Sequence, residues 1–302
     1  MRLQQLQLLQ HIAEIGSLRA AAERMHVSQP ALTKALRHLE DEFGTTLVTR
    51  SPRGARLSAA GELLSARAGV ALRELDRARE EVAWHVERTH GSVALGVSPA
   101  AAAMLVPATL DRFLARWPTA RVRLLDTLYP RAFSQLRAGE IDLAIGPLPS
   151  GEGSRDIRVL PLFASPLVVT ARKGHRLQGA RRLAALAEAR WLLTGPAGGP
   201  GDPALLDLGA KSGADTPATL VCESFSTLLA LMREGDYLAV MPQGFFDFYG
   251  PPMNLVRLPI RDPLPITPVY AMWRAEAPLT VLAQRLLDAF AQEASEIASP
   301  AP

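Results

Sequence analysis

The strongest constraint on the fold is a succession of short helices with marked ends in the first 44 residues. Apolar residues recur at helical spacing over residues 1–13 and stop at Gly16, which suits a helix C-terminus. Ser17 then stands where a helix N-cap belongs. Ser28 does so for the next helix, with Pro30 in its first turn and Gly44 at its end. Because this last helix is polar and basic on its outer face, the sequence predicts a helix-turn-helix that enters the DNA major groove.

A basic β-hairpin is predicted directly after the helix-turn-helix. Two short apolar strands flank a turn at Ser51-Pro52-Arg53-Gly54, and Arg50, Arg53 and Arg56 have no acidic residue beside them. Residues 1–60 hold 8 Lys and Arg against 5 Asp and Glu, whereas residues 61–90 hold 5 against 6. Such a hairpin is a wing that lies on phosphates or in the minor groove. A helical hairpin followed by a β-hairpin can also occur without a DNA role. Such a structural motif would not need basic residues on both the outer helix face and the wing.

A long amphipathic helix is predicted from Ser58 to about Thr89. Apolar residues recur there at steps of three and four, with charged residues between them. At 1.5 Å per residue the helix is about 45 Å long, and its own propensity does not stabilise such a length. It packs either on the core of its own chain or against the same helix of a second chain, and we favour the dimer.

Strands and helices alternate from residue 91 onward, which favours parallel sheets covered by helices. We expect two subdomains as in periplasmic binding proteins, residues 91–163 with 267–297 and residues 166–264, joined by crossings near Phe163–Pro166 and Pro265–Pro268. The predicted fold class is α+β. Its domains are a winged helix-turn-helix over 1–58, a linker helix over 59–89 and a two-subdomain α/β effector domain over 91–297.

The sequence argues against a membrane protein. Residues Gly91–Leu110 carry no charge over 20 residues, the length of a membrane span, but serines and prolines interrupt them. A buried strand followed by one helix from Pro99 to Trp117 explains them. The N-terminal residues lack the unbroken apolar stretch of a signal peptide. Cys222 is the single cysteine, so no internal disulfide forms. We expect a cytoplasmic protein with no membrane contact, no metal and no cofactor.

The crevice between the two subdomains is the expected ligand site, because such folds bind ligands at the C-terminal ends of strands. Ser98 follows the first strand and opens a helix, so its hydroxyl and the N–H groups of Ala100 and Ala101 would form an anion-binding corner. Ser98 could equally serve as a helix cap. Residues 195–203, rich in glycine and proline, form either a loop over the crevice or a surface linker. The other candidates also follow strand ends: Thr127, Tyr129, Thr194, Ser224 and Phe225.

An enzyme or a solute-binding protein is the alternative. Gly96-Val97-Ser98-Pro99-Ala100 is similar to the nucleophile elbow of serine hydrolases, with Ala100 in place of the last glycine. A triad in that chain order needs a later acid and then a histidine, and His175 is the one histidine that follows. No Walker A motif is present, because Ala210 stands before Lys211 where glycine is required. We therefore predict no catalytic residue and no enzyme activity.

The chain resembles the LysR-type transcriptional regulators over essentially its whole length. Residues 20–50, from Ala20-Ala21-Ala22 through the turn at Ser28-Gln29-Pro30-Ala31 to Arg50, match the signature of that family's winged helix-turn-helix nearly position by position. The resemblance implies that the helix between Ser28 and Gly44, here called the recognition helix, faces DNA together with the wing. The residues implied are Ser28, Gln29, Pro30, Thr33, Lys34, Arg37, Arg50 and Arg53.

The same resemblance implies the partners. It implies an antiparallel dimer through the linker helix and a homotetramer of paired dimers. The other implied partners are double-stranded operator DNA with an inverted repeat and RNA polymerase. It also implies a small-molecule effector at Ser98, Tyr129, Thr194 and Ser224. Leu128-Tyr129-Pro130 is similar to members that sense aromatic acids or sulfonates, so we expect an anionic effector, with an aromatic one as an option.

Overall fold

The computed structural model describes residues 1–51, 54–87, 91–148, 154–194, 202 and 218–298. The chain divides into two compact units. One comprises Met1–Arg88 with Arg137–Glu140, and the other comprises Thr89–Leu136 with Ile141–Pro302.

The N-terminal unit has four helices and a two-stranded hairpin among its described residues. In chain order these are α1 Leu3–Ile15, α2 Leu18–Arg24, α3 Gln29–Phe43, β1 Val48–Ser51, β2 Gly54–Leu57 and α4 Ala59–Glu87. The expected helix ends are confirmed, since Gly16 and Gly44 adopt left-handed conformations at φ 69° and 63°. The hydroxyl of Ser17 accepts the N–H of Ala20 at 3.4 Å, as an N-cap does.

The hairpin is fixed to the turn that joins α1 to α2. The N–H of Ala55 donates to the carbonyl of Gly16 at 2.8 Å. A Cβ atom at Gly54 would lie 2.5 Å from that same carbonyl oxygen, so glycine is needed there for the close approach. Behind this contact, one apolar cluster joins α1, α2, α3 and the hairpin, and it includes Leu9, Ile12, Leu36 and Leu39.

The larger unit contains nine strands and six helices within the described ranges. The strands are β3 Gly91–Val97, β4 Ala120–Asp126, β5 Leu143–Pro147, β6 Ile157–Arg172, β7 Trp191–Thr194, β8 Ala218–Cys222, β9 Ala239–Pro242, β10 Leu255–Arg257 and β11 Ile266–Arg274. The helices are α5 Pro99–Met104, α6 Val106–Arg116, α7 Arg131–Ala138, α8 Phe225–Glu234, α9 Gln243–Tyr249 and α10 Val281–Ala298. No helix in the described residues is long and apolar enough to cross a membrane.

Seven strands form one mixed sheet in the order β10-β6-β11-β5-β3-β4, with β9 also paired to β6. The expectation of parallel pairing is correct for β3 with β4 and β5, and for β7 with β8. It is wrong for β11, which runs antiparallel to both β5 and β6, and for β9 and β10, which run antiparallel to β6.

Two predicted element boundaries also differ from the structure. Residues 157–172, expected as two strands with a crossing near Phe163–Pro166, form the single strand β6, because this strand pairs with β11 along nine registered positions from Ile157 to Pro166. The helix expected from Pro99 to Trp117 is two helices that meet at Leu105. Pro107 explains the break, since it stands in the first turn of α6, where its missing N–H is tolerated.

The long strand β6 contributes to two apolar cores. Side chains alternate across a strand, so Leu167 and Val169 pack with Trp191 on one face, whereas Val168 packs with Phe245 on the other. Through Val168, β6 also packs with Cys222 of β8 and Leu228 of α8.

Candidate DNA-binding surface and effector cleft

The recognition helix α3 buries one face and exposes the other. Leu32, Leu36 and Leu39 are buried in the core of the N-terminal unit. Ser28 caps the helix through a hydroxyl that accepts the N–H of Ala31 at 3.3 Å. The predicted DNA contacts lie on the other side: Ser28, Gln29, Pro30, Lys34 and Arg37 are exposed, and Thr33 is half-buried.

Several cations of this surface carry no compensating acid. Lys34 and Arg37 on α3, and Arg50 and Arg56 on the hairpin, have no carboxylate within 4.0 Å in the part of the chain that the structure describes. By contrast, Arg79 on α4 is paired with Asp76 at 3.0 Å. Unpaired cations keep their full charge for an external polyanion, so this surface suits phosphate.

The hairpin adds a cation that the predicted site residues omit. Arg56 on β2 is exposed and stands opposite Thr49, whereas Arg50 stands opposite the buried Ala55. Arg56 was visible in the sequence as part of the basic run, but the strand register was needed to place it on the outer face of the hairpin. Arg53, also predicted as a DNA contact, lies outside the described residues.

Helix α4 exposes apolar side chains along much of its length. Leu63, Leu75, Val82 and Val86 are exposed, and Val82 and Val86 expose 65% and 74% of their residue surface. Water-exposed apolar residues at helical spacing indicate a surface that another chain covers.

A cleft in the larger unit opens at the ends of β4 and β8. It holds about 570 Å³ of empty space, counting the part open to solvent. Pro99 opens α5 at one wall, and residues 126–131 join β4 to α7 at another. Glu223 and Phe225 contribute the wall between β8 and α8. Of the predicted effector residues, Thr127, Tyr129 and Phe225 lie in this lining.

Thr127 places an unsatisfied hydroxyl at the cleft. Its N–H donates to the carbonyl of Val97 at 3.0 Å, which fixes the backbone beside the end of β3. Its methyl group packs on Gly96, where a Cβ atom would lie 2.5 Å away. The residue is 7% exposed, and its Oγ1 has no hydrogen-bond partner within the described residues. A buried hydroxyl without a partner is costly, so a ligand atom that bonds it gains affinity.

The other predicted effector residues lie outside the lining of this cleft. Ser98 is 1% exposed, and its hydroxyl accepts the N–H of Ala101 at 3.3 Å, so the helix-cap role is observed and contact with an effector stays a prediction. Ala100 is packed in an apolar cluster with Phe245. Ser224 caps α8 by accepting the N–H of Thr227 at 3.4 Å. The side chain of Thr194 and residues 195–201 lie outside what the structure describes.

Sequence reasoning missed the charged residues of the cleft. Asp126 is the last residue of β4, Arg131 is the first of α7, and Glu223 follows β8 directly. Their positions next to strand and helix ends could have identified them as candidates for the ligand site. Only the fold, however, brings the end of β8 to the end of β4, because these two strands belong to different sheets.

The N-terminal unit and the larger unit thus combine a helix-turn-helix with a basic wing and a ligand cleft in an α/β domain, which defines a ligand-responsive DNA-binding regulator. A family model described as "Bacterial regulatory helix-turn-helix protein, lysR family" matches residues 3–62, and one described as "LysR substrate binding domain" matches residues 87–295. The chain belongs to the LysR family of bacterial transcriptional regulators, which are DNA-binding regulators and not enzymes.

Curated relatives agree with this assignment. The chain is 27% identical to the HTH-type transcriptional regulator TdcA of Escherichia coli K12 over 270 residues, 89% of this chain and 86% of that protein. It is 33% identical to the SDS degradation transcriptional activation protein of a Pseudomonas species over 244 residues, 80% of this chain and 78% of that protein.

Solved structures share the fold. The crystal structure of CbnR, a LysR family transcriptional regulator, superposes with a TM-score of 0.72 at 22% identity, over 97% of this chain and 99% of CbnR. Full-length CbnR complexed with its target DNA superposes with the same TM-score. The predicted fold class, a winged helix-turn-helix followed by a LysR effector-binding domain, is confirmed.

Proposed function

We propose that this regulator binds an interrupted inverted repeat in promoter DNA as a dimer and changes that binding when a small effector occupies the cleft. The observation that carries the proposal is the exposed face of α3, whose cations are free of carboxylates, beside a hairpin that carries further free cations.

The contacts divide by chemistry. Gln29 and Thr33, in the first turns of α3, offer amide and hydroxyl groups for base edges in the major groove. Lys34, Arg37, Arg50 and Arg56 supply charge for phosphates. The remaining implied contacts are Ser28, as the cap that faces a phosphate, and Pro30 and Arg53.

Dimerisation through α4 supports an inverted repeat. The exposed apolar residues of α4 require a partner surface, and a second copy of the same helix supplies one with the same chemistry. A two-fold dimer presents two copies of α3 and therefore reads two half-sites of opposite orientation. Pairing of two dimers into a tetramer, a cytoplasmic location and contact with RNA polymerase belong to the same proposal and rest on the family.

The cleft is the proposed effector site. Thr127, Tyr129 and Phe225 provide a hydroxyl, a phenol and an aromatic face, and Arg131 provides a cation for an acidic group of the effector. Ser98, Ala100, Thr194 and Ser224 would join the site if it extends beyond the present lining. An effector that binds one arrangement of the walls more tightly than another shifts the population of the DNA-binding state.

The test is selection of bound sequences from random DNA with purified full-length protein, at low and at physiological salt. Enrichment of an interrupted inverted repeat at physiological salt supports the proposal. Binding without any enriched motif, lost at physiological salt, would reduce the N-terminal unit to a basic surface and contradict it.

A further inference from the structure

The charges around the cleft do not suit a simple anion. Among the residues that the structure describes, two carboxylates, Asp126 and Glu223, line it together with one cation, Arg131. None of the three has an ion-pair partner within the ranges that the structure describes. An anionic group alone would meet the attraction of one guanidinium and the repulsion of two carboxylates.

The two carboxylates come from different parts of the fold. Asp126 ends β4, in the seven-stranded sheet, whereas Glu223 follows β8, in the two-stranded sheet. Because like charges repel, drawing the two walls together around an empty cleft is unfavourable, and a ligand cation placed between them reverses the sign of this interaction. A positively charged group of a ligand placed between the two carboxylates is therefore attracted by both of them.

A second observation points to a ligand at the same place. Thr127 lines the cleft, and its buried Oγ1 atom has no hydrogen-bond partner within the described residues. A hydroxyl both donates and accepts, so it can bond either an ammonium or a carboxylate. Leu128 and Phe225 give the remaining wall an apolar character.

Resting on the proposed function, we propose that the effector is an α-amino acid with an apolar side chain, bound as a zwitterion. Its ammonium group lies between the carboxylates of Asp126 and Glu223, and its carboxylate pairs with Arg131. Its side chain packs against Phe225, and the hydroxyl of Thr127 bonds one of the two charged groups. This assignment keeps the anionic group that the sequence suggested and adds a cationic group.

The experiment compares matched ligands by calorimetry on the full-length protein. The probes are phenylalanine, leucine and methionine, each with the 2-hydroxy acid of the same side chain, in which a hydroxyl replaces the ammonium group. At least one amino acid should bind about tenfold or more tightly than its hydroxy acid, since a charged hydrogen bond is lost in the exchange. Equal or tighter binding of the hydroxy acids, or no binding of any of the amino acids, would overturn the proposal.

Single-residue variants test which side chains cause the preference for the amino acid over the hydroxy acid. Glu223→Gln should reduce the preference for the amino acid to less than about threefold, while the hydroxy acid binds at least as tightly as it does to the wild type because one repelling carboxylate is gone. Asp126→Asn should act in the same direction. Glu188→Gln, a change at an exposed position away from the cleft, should leave the preference intact. An unchanged preference in both cleft variants would place the ammonium group elsewhere and overturn the assignment.

Two further results separate this inference from the proposed function. If the protein enriches an inverted repeat but binds the hydroxy acids as tightly as the amino acids, the proposed function stands and the zwitterionic effector is excluded. If the protein binds an amino acid with the expected preference but enriches no DNA motif, the zwitterionic ligand stands and the proposed function is excluded. Binding of Mg²⁺, Ca²⁺ or Zn²⁺ that Glu223→Gln abolishes and that excludes the amino acid would also overturn the inference, because the carboxylates would then hold a metal ion.

Discussion

The carboxylate Oε1 of Glu40, near the end of α3, accepts the backbone N–H of Leu47 at 2.8 Å. The same oxygen accepts the N–H of Val48 at 3.2 Å, where the first strand of the hairpin begins. The recognition helix and the wing are therefore joined by one side chain, and the position of the wing depends on it.

Removing this carboxylate should loosen the wing. Glu40→Ala leaves the N–H groups of Leu47 and Val48 without their acceptor, at a cost of about 1–3 kcal/mol. Hydrogen–deuterium exchange of the peptide that covers residues 45–58 should become about tenfold faster or more. Glu23→Ala is the control, because its pair with Arg19 is exposed on both sides and contributes little. Equal exchange in the two variants would show that Glu40 does not hold the wing.

The outer face of the hairpin should contact phosphates. Arg56→Ala should lower the slope of log Kobs against log[salt] for DNA binding by about one unit, because one counterion fewer is released. Arg50→Ala should act alike, because Arg50 is exposed too, although it lies on the other face of the hairpin. Arg79→Ala, which removes a cation already paired with Asp76, should leave the slope unchanged. A slope that Arg56→Ala does not alter would remove this residue from the DNA backbone.

The two serine caps of the larger unit differ in burial, and their removal should differ accordingly. Ser98 is buried and Ser224 is exposed, although each accepts one N–H of the first helical turn. Ser98→Ala should lower the free energy of unfolding by about 1–2 kcal/mol in urea titrations. Ser224→Ala should lower it by less, since water replaces the lost acceptor. A larger loss at Ser224 than at Ser98 would contradict the role of burial.

His175 should make stability depend on pH. Burial lowers the pKa of this imidazole, with Arg172 and Arg176 acting in the same direction and Asp236 opposing them. Its Nδ1 accepts the N–H of Leu177 at 3.1 Å, and its Nε2 lies 3.2 Å from Oδ1 of Asp236, which fits the neutral ring.

The sign follows from the lower pKa of the folded state. Above the unfolded value of about 6.5 the ring is neutral in both states, and as the pH falls through it the unfolded state takes up the proton first. Stability should therefore decrease as the pH falls from about 7, until the folded pKa is passed. Urea titrations at about pH 7.5 and about pH 5.5, roughly one unit either side of the unfolded pKa, should show a smaller difference in unfolding free energy between wild type and His175→Gln at the lower pH. A difference that is constant with pH would exclude this linkage.

The recognition helix could be predicted closely from the sequence because its ends depend on local signals. Ser28 and Gly44 bound a predicted helix that the structure places at Gln29–Phe43. The strand β6 could not be predicted as one element, because Pro161 and Pro166 suggest an interruption, and only the pairing with β11, distant in sequence, keeps the strand continuous.

The cleft, too, has residues that could be predicted from local sequence and features that depend on the whole fold. Thr127, Tyr129 and Phe225 could be identified since they follow strand ends, and they line it. Ser98 follows a strand end too, yet its hydroxyl is directed to its own helix. The balance of two acids and one base depends on the placement of β8, which no local pattern encodes.

The measurement that tests the central claim most directly is selection of bound DNA with Gln29→Ala beside the wild type and Arg56→Ala. If α3 reads bases in a symmetric dimer, the wild type enriches an interrupted inverted repeat. Gln29→Ala then loses base preference at one equivalent position in each half, at about 1–3 kcal/mol per contact, whereas Arg56→Ala binds more weakly to the same motif. A motif that Gln29→Ala leaves unchanged, or one that changes in a single half, would contradict the account.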